Sequence, residues 1–327
     1  MTQRSVTAQH ALSESDVMRY LTDLSNWGRW GADDQIGTLN LITPHISREA
    51  AALVREGRSV SCSWSMAGAG QHTPGMAPQR FMIRSGEGLH DQNRVLPAQA
   101  ELAGRATTAV EFIGLRFHGF EITHLDALSH MFWDGQAYNG VPAARVSAEA
   151  GATALDITTC PAIVTRGVLL DVAAAEGAEF LAPGTGVRSG QLEAAERRQG
   201  VRVRAGDAVL LRTGHGQRVH ELGFPAVTSG PRSGWHASCL PWLREREVAV
   251  IGNDGTNDVV PFEFPGIPLP IHTVGIVAMG LWLLDNCDLE ELARTCARLG
   301  RWEFMFTVAP MQFTGATGSP ANPVAIF

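Results

Sequence analysis

HGFEITHLDALSH, residues 118–130, packs His118, His124, Asp126 and His130 into one short polar-apolar run. His124 and Asp126 are two positions apart, so an extended backbone sends both side chains off one face. A helix would point them to nearly opposite sides. His118 and His130 share that parity. One extended run therefore aims four metal-capable groups at a common point. Imidazole plus carboxylate suits zinc, manganese or iron(II). Asp126 also fits a helix N-cap, and a helix starting there leaves His130 one turn on, still facing the same side. A lone histidine is more often a surface or hydrogen-bonded core residue. So many titratable groups in one place point instead to a metal or catalytic role.

Working outward, Ala109–Phe117 predicts a strand leading into the histidine run, and Ala162–Asp171 predicts a second. Asp207–Arg212 and Val248–Ile251 read as buried strands, and Glu303–Val308 as the last one. Helices are expected from Ser13 or Ser15 through Leu24 and from Thr43-Pro44 to about Val54. Others run from Ser189 to Arg197, His236 to Arg246, His272 through Leu284, and Leu289 to Leu299. Residues 67–93, rich in Gly, Pro, Met and Gln, read as a long loop or flap over the site. Strands and helices alternate without an internal repeat or a low-complexity linker, which predicts one α/β domain over residues 1–327. Residues 1–26 form a helical extension to it.

The 327 residues suffice for a large core. Apolar residues make up 45% and charged residues 18%, the balance of a compact enzyme rather than a disordered chain. A net charge of -7 without a basic cluster argues against nucleic acid as a partner. Five scattered cysteines, none in a CxxC pair, fit a reducing, cytoplasmic compartment. The opening residues lack the apolar stretch of a signal peptide. The apolar run Val274–Leu284 is too short to span a bilayer, so no membrane partner is expected.

The segment Thr123–His130, THLDALSH, resembles the signature of the metal-dependent cyclase family, which includes bacterial kynurenine formamidase and isatin hydrolase. Short members carry H-x-G-x-H-x-D-x-P-x-H. His124, Asp126 and His130 match its second half, whereas Phe120 stands where the first histidine belongs. Either a local bulge brings His118 into that role or the ligand is lost. The resemblance covers the chain from about residue 27 to its end. It takes in WGADDQIGTLN (residues 30–40), Asp134-Gly135 with Tyr138-Asn139-Gly140, and Gly206–Gly214. Further on it takes in Trp242-Leu243, Val248–Asp254, Pro270-Ile271-His272 and Gly318–Pro323. It implies a central mixed, partly barrel-like sheet wrapped by helices and a homodimer or homotetramer. It also implies a later histidine and a glutamate about a dozen residues on that help bind a second ion. His272 matches that histidine, and the acidic position falls on Asp285.

The chemistry expected is hydrolysis of an amide or lactone in a small molecule. A divalent ion, manganese or zinc with iron(II) as a third option, would lower the pKa of a water and polarise the carbonyl. His130 is the candidate acid–base group, as the resemblance also implies, with a ligand role as the competing reading. Trp30, Phe132 and Trp133, with Trp27, Met76 and Phe81, suit an apolar wall for a flat substrate, although core packing explains aromatic residues equally well. His45, His72, His90, His215 and His220 read as loop or surface residues, with a lid contact as the alternative for His72 and His90. Asp254 and Asp258 read as turn residues, with support of the metal ligands as the alternative. A ring-closing cyclase or dehydratase, and a non-catalytic metal-binding module, are the alternative functions.

Overall fold

The computed structural model describes residues 12–66, 71–86 and 108–327. Nine strands form one mixed sheet. Its spatial order is Ser59–Ser61, Val324–Ile326, Glu303–Val308, Ile163–Asp171, Ala208–Arg212, Val250–Asn253, Trp282–Asp285, His124–Asp126 and Gly318–Pro320. The four strands from Ile163–Asp171 to Trp282–Asp285 run parallel, and every other pairing is antiparallel. Those parallel strands read as near-continuous apolar runs, such as Val168-Leu169-Leu170 and Val209-Leu210-Leu211, because both of their faces are buried. The sheet curls into half a barrel with helices packed about it, the α/β architecture expected.

Local signals account for most helix ends. Ser13 caps Glu14–Asp23 and shares a capping box with Asp16. Thr43 caps Pro44–Ala51 with the proline at the first turn. Gly200 and Gly300 stop Ser189–Gln199 and Glu290–Leu299 in the left-handed conformation. No helix among the described residues is long and apolar enough to cross a membrane. All five cysteines are buried free thiols, and burial pushes Cys62, Cys160 and Cys239 up to about 12.

Four expectations need correction. The helix expected over His272–Leu284 is a short turn, Pro270–His272, continued by a π-helix to Met279. Gly280 then takes a positive φ of 65° and lets the chain reverse into the strand Trp282–Asp285. Every residue from Thr273 to Asp285 is buried, so no polar face recurs to reveal the period. Glu303–Val308 is not the last strand, because Gly318–Pro320 and Val324–Ile326 follow. Pro320 is tolerated because its strand is the sheet's edge. The expected flap is in part a hairpin. Gln79–Arg84 pairs with Val110–Gly114 in a sheet of its own, so the latter is not a strand of the main sheet. The rest of the flap, 67–70 and 87–93, lies outside the described residues, as does His90. Of the histidines read as loop or surface residues, His45 and His220 are on the surface, within Pro44–Ala51 and His215–Leu222, but His215 is buried at the start of the latter helix.

His215 is buried, which lowers its pKa to about 4, with the charges of Arg218 and Arg232 adding to the fall. The unfolded chain therefore holds a proton between about pH 6.5 and 4 that the folded chain refuses. The stability from a neutral His215 is complete above that window and lost as pH falls through it, to a limit of about 3 kcal/mol. In urea unfolding across this range, His215→Asn should lose less stability on acidification than the parent. Parallel pH curves would remove His215 from the acid response.

Candidate metal centre

The strand His124–Asp126 lies between Trp282–Asp285 and the edge strand Gly318–Pro320, with His124 directly opposite both Asp285 and Pro320. Directly opposed residues project from the same face, so His124, Asp126 and Asp285 converge. Gly318 faces Asp126 across the other seam. A Cβ there would come within 2.9 Å of the His118 ring, so only glycine leaves room for that imidazole.

The single extended run expected over 118–130 is shorter than its parity suggested. Only His124–Asp126 is strand, and His118 and His130 come from the bends and turn on either side. All four groups still meet. His118 Nδ1 lies 3.0 Å, His124 Nε2 3.5 Å and His130 Nε2 4.0 Å from Asp126 Oδ1. His272 Nε2 lies 3.4 Å from Asp126 Oδ2 and 3.3 Å from Asp285 Oδ2. The His118 and His130 rings stack with centroids 4.0 Å apart. Two sets share Asp126: His118, Asp126 and His130 in one, and His124, Asp126 and Asp285 in the other. Within each, the ligand atoms lie within 4.8 Å of one another.

Outer partners decide which nitrogen faces inward. His124 Nδ1 meets the carbonyl of Ile122 at 2.8 Å, which leaves Nε2 for the centre. His272 Nδ1 lies 2.6 Å from Asp258 Oδ2, again leaving Nε2 inward. His118 is turned the other way, with Nε2 3.1 Å from Thr317 Oγ1 and Nδ1 toward Asp126. Asp285 Oδ1 accepts from the backbone N–H of Asn257 at 2.9 Å. Asp258 is thus no mere turn residue. It also accepts the backbone N–H groups of Ile271 and His272. Asp254 does brace a turn, since it accepts from Thr213 and Gly214.

The Asp126 side chain is 0% exposed, yet neither of its oxygens has a partner in hydrogen-bonding geometry, and neither has His118 Nδ1. A buried carboxylate ringed by imidazoles and left unsatisfied is what a ligand set for a cation looks like. The all-nitrogen-and-oxygen donor set fits a divalent transition ion. Burial alone would raise Asp126. The field of His130 and the close imidazoles of His118, His272 and His124 reverse this and hold its carboxyl well below the usual range. Burial opposes a charge on His272 too, but Asp285, Asp126 and Asp258 keep its pKa well above the ordinary value. Burial drives His130 down to about 4, against Asp126 and with help from the other imidazoles, so it is neutral at pH 7.

The expected aromatic wall is only loosely connected to this centre. Phe132 is exposed, Trp30 lies beside the Arg29 guanidinium, and Trp133 packs on the core and lines a groove with Trp27. Phe81 stacks on Phe112 in the hairpin, whereas Met76 is buried against Gly119. The ring beside the imidazoles is Phe117, with centroids 4.5 Å from His118 and 6.0 Å from His124. Phe117 also lines an apolar cavity of about 550 Å³ with Ile122, Leu115 and Phe313. His72, assigned to a loop, is buried, and its Nδ1 lies 2.8 Å from Glu121.

Asp258 gives a direct test of this arrangement. Asp258→Ala should weaken metal affinity by roughly 10–100-fold, because His272 loses its orientation. Competition with a chelator would measure this. An unchanged affinity would reduce Asp258 to a cap for the turn at Ile271.

Comparison with known proteins places this geometry among relatives. The Cyclase family profile matches residues 106–257. A solved structure described as a novel cyclase is 30% identical, with a TM-score of 0.83 over 94% of this chain and 99% of its own. Isatin hydrolase A from Ralstonia solanacearum is 21% identical, with a TM-score of 0.56 over 86% of this chain and 97% of its own. Isatin hydrolase A from Labrenzia aggregata, bound to benzyl benzoate, is 18% identical, with a TM-score of 0.54 over 86% and 96%. No curated protein matches the sequence.

Proposed function

Since the chain belongs to the Cyclase family, we propose that it is a metal-dependent hydrolase that opens a cyclic amide or lactone, or cleaves an aryl formamide. The observation that carries this reading is the buried, unsatisfied carboxylate of Asp126 among four imidazoles. His124, Asp126, Asp285 and His272 would hold a divalent ion, manganese or zinc, with His118 on the other side of Asp126. When bound, such an ion polarises the carbonyl and brings the pKa of a water toward neutrality. The fold-level likeness to isatin hydrolases supports a small cyclic substrate.

The chain's own groups supply proton transfer and exclusion of water. His130 is neutral at pH 7 and can accept a proton at Nε2 from the attacking water. Asp126 faces that nitrogen and stabilises the resulting imidazolium, which then protonates the departing nitrogen or oxygen. The carbon–nitrogen or carbon–oxygen bond breaks, and the water's oxygen ends in a carboxylate. Phe117 and its cavity shield one side of the imidazoles. A homodimer or homotetramer belongs to the same reading.

The test joins two measurements on protein purified without added metal. Metal analysis should find one or two divalent ions per chain. A screen of lactones, cyclic imides and aryl formamides should find a substrate whose turnover stops on chelation and returns with manganese or zinc. Protein that takes up no metal and hydrolyses nothing in the screen overturns the proposal.

A further inference from the structure

Among the described residues, three arginines are buried. Two are neutralised in full. Arg166 faces Asp207 and Glu303 at 2.9 and 2.6 Å, and Arg212 faces Asp171 and Glu290 at 3.0 and 2.8 Å. The third, Arg232, is 5% exposed and has no ion pair among the described residues. Its Nη1 donates to the main-chain carbonyls of Thr228 and Gly230, and its guanidinium lies over the Phe120 ring at 4.0 Å. Its Nε has no partner. Only the field of Asp285 offsets its burial, without a direct ion pair, whereas the other two buried arginines are paired directly.

Arg232 lies within the field of Asp285 and is tied from two sides to the segments that carry the metal centre. Its backbone exchanges 2.9 Å hydrogen bonds with Val260, two residues beyond the Asp258 that orients His272. Phe120, under the guanidinium, lies in the loop joining His118 to His124. The nearby carboxylates are engaged elsewhere. Glu121 accepts from Thr73 and Thr228 and meets His72, and Asp285 accepts from Asn257 and faces His272. What remains is the Nε–Nη2 edge, two parallel N–H groups in the spacing that a carboxylate binds side-on.

We propose that the Nε–Nη2 edge of Arg232 is a carboxylate subsite of this centre, and that the molecule processed here is a carboxylic acid when it arrives or becomes one on hydrolysis. The reaction itself rests on the hydrolase reading; the anion site does not.

Calorimetry on the metal-loaded protein tests the subsite with benzoate and benzamide as probes. The parent should bind benzoate at least ten-fold more tightly. Arg232→Gln should erase that preference at unchanged metal content. Arg232→Lys, which keeps the charge but not the paired donors, should retain part of it and guards against a folding defect in the glutamine variant. A parent that binds both probes equally overturns the proposal. So does a glutamine variant that keeps the full preference or, should that variant not fold, a lysine variant that does. Turnover separates the two sources of the carboxylate. A higher kcat/KM for 2-formamidobenzoate than for formanilide, lost in Arg232→Gln, means that the substrate brings it. Equal turnover of the pair, with benzoate inhibiting the parent but not Arg232→Gln, means that the reaction forms it. Benzoate binding through Arg232 without hydrolysis of any compound would overturn the hydrolase reading and leave the subsite standing.

Discussion

Asp126→Ala empties the centre of metal and takes turnover to background. Asp126 is common to both sets of ligand atoms, and it is the group that all four imidazoles face. No other carboxylate stands in for it. Asp285 reaches His272 on one side only, and its Oδ1 is held by Asn257. The loss should therefore exceed the roughly 10–100-fold that removing an outer partner costs, which sets it apart from Asp258→Ala. A thermal melt has to accompany the metal analysis, because the imidazoles that hold the Asp126 carboxyl low lose their shared counter-charge in the variant. Metal analysis and a thermal melt decide the matter together: a variant that melts like the parent and retains its full metal complement would move the ion elsewhere.

His130→Ala is expected to lower turnover by roughly 10²–10⁴ while metal content stays at the parent's level. His130 is the most distant of the three imidazoles from Asp126 Oδ1, at 4.0 Å, and it is neutral at pH 7. The longer distance favours a base over a committed ligand, and neutrality suits either role. The opposite outcome is equally readable. His130 also belongs to one ligand set with His118 and Asp126. Loss of metal along with activity would make it a ligand and leave the proton transfer to another group.

The centre was legible in the sequence wherever side chains on one short segment share a face. The spacing of His124 and Asp126 fits the strand they form, although a helix starting at Asp126 fits it too. His272 and Asp285 came only through family resemblance, since no spacing rule links them to residue 124. The strand that carries Asp285 was read as helix, because a run buried on all sides has no polar face to mark its period. For Asp258 the sequence allows both a turn role and support of a ligand, and only the structure's contact with His272 decides between them. The outer partners of His124 and His118 are a backbone carbonyl and a threonine far along the chain, and neither leaves a trace in composition. Arg232 was invisible for a different reason: an arginine becomes informative only when its surroundings are known to lack a counter-charge.

The edge strand Gly318–Pro320, which closes on His124–Asp126 from the far end of the chain, bears on the order of assembly. The ligand set gathers residues from segments near 118–130, 258, 272, 285 and 317, so its contacts are among the most non-local in the molecule. Such contacts close late, after the entropy of the long intervening loops has been overcome. A nascent chain lacking its last dozen residues has no edge strand to complete the seat around His118. An ion that uses His118 therefore joins after this edge strand has closed. Its contribution is then one of mass action, holding the finished fold more firmly as its free concentration rises above its dissociation constant.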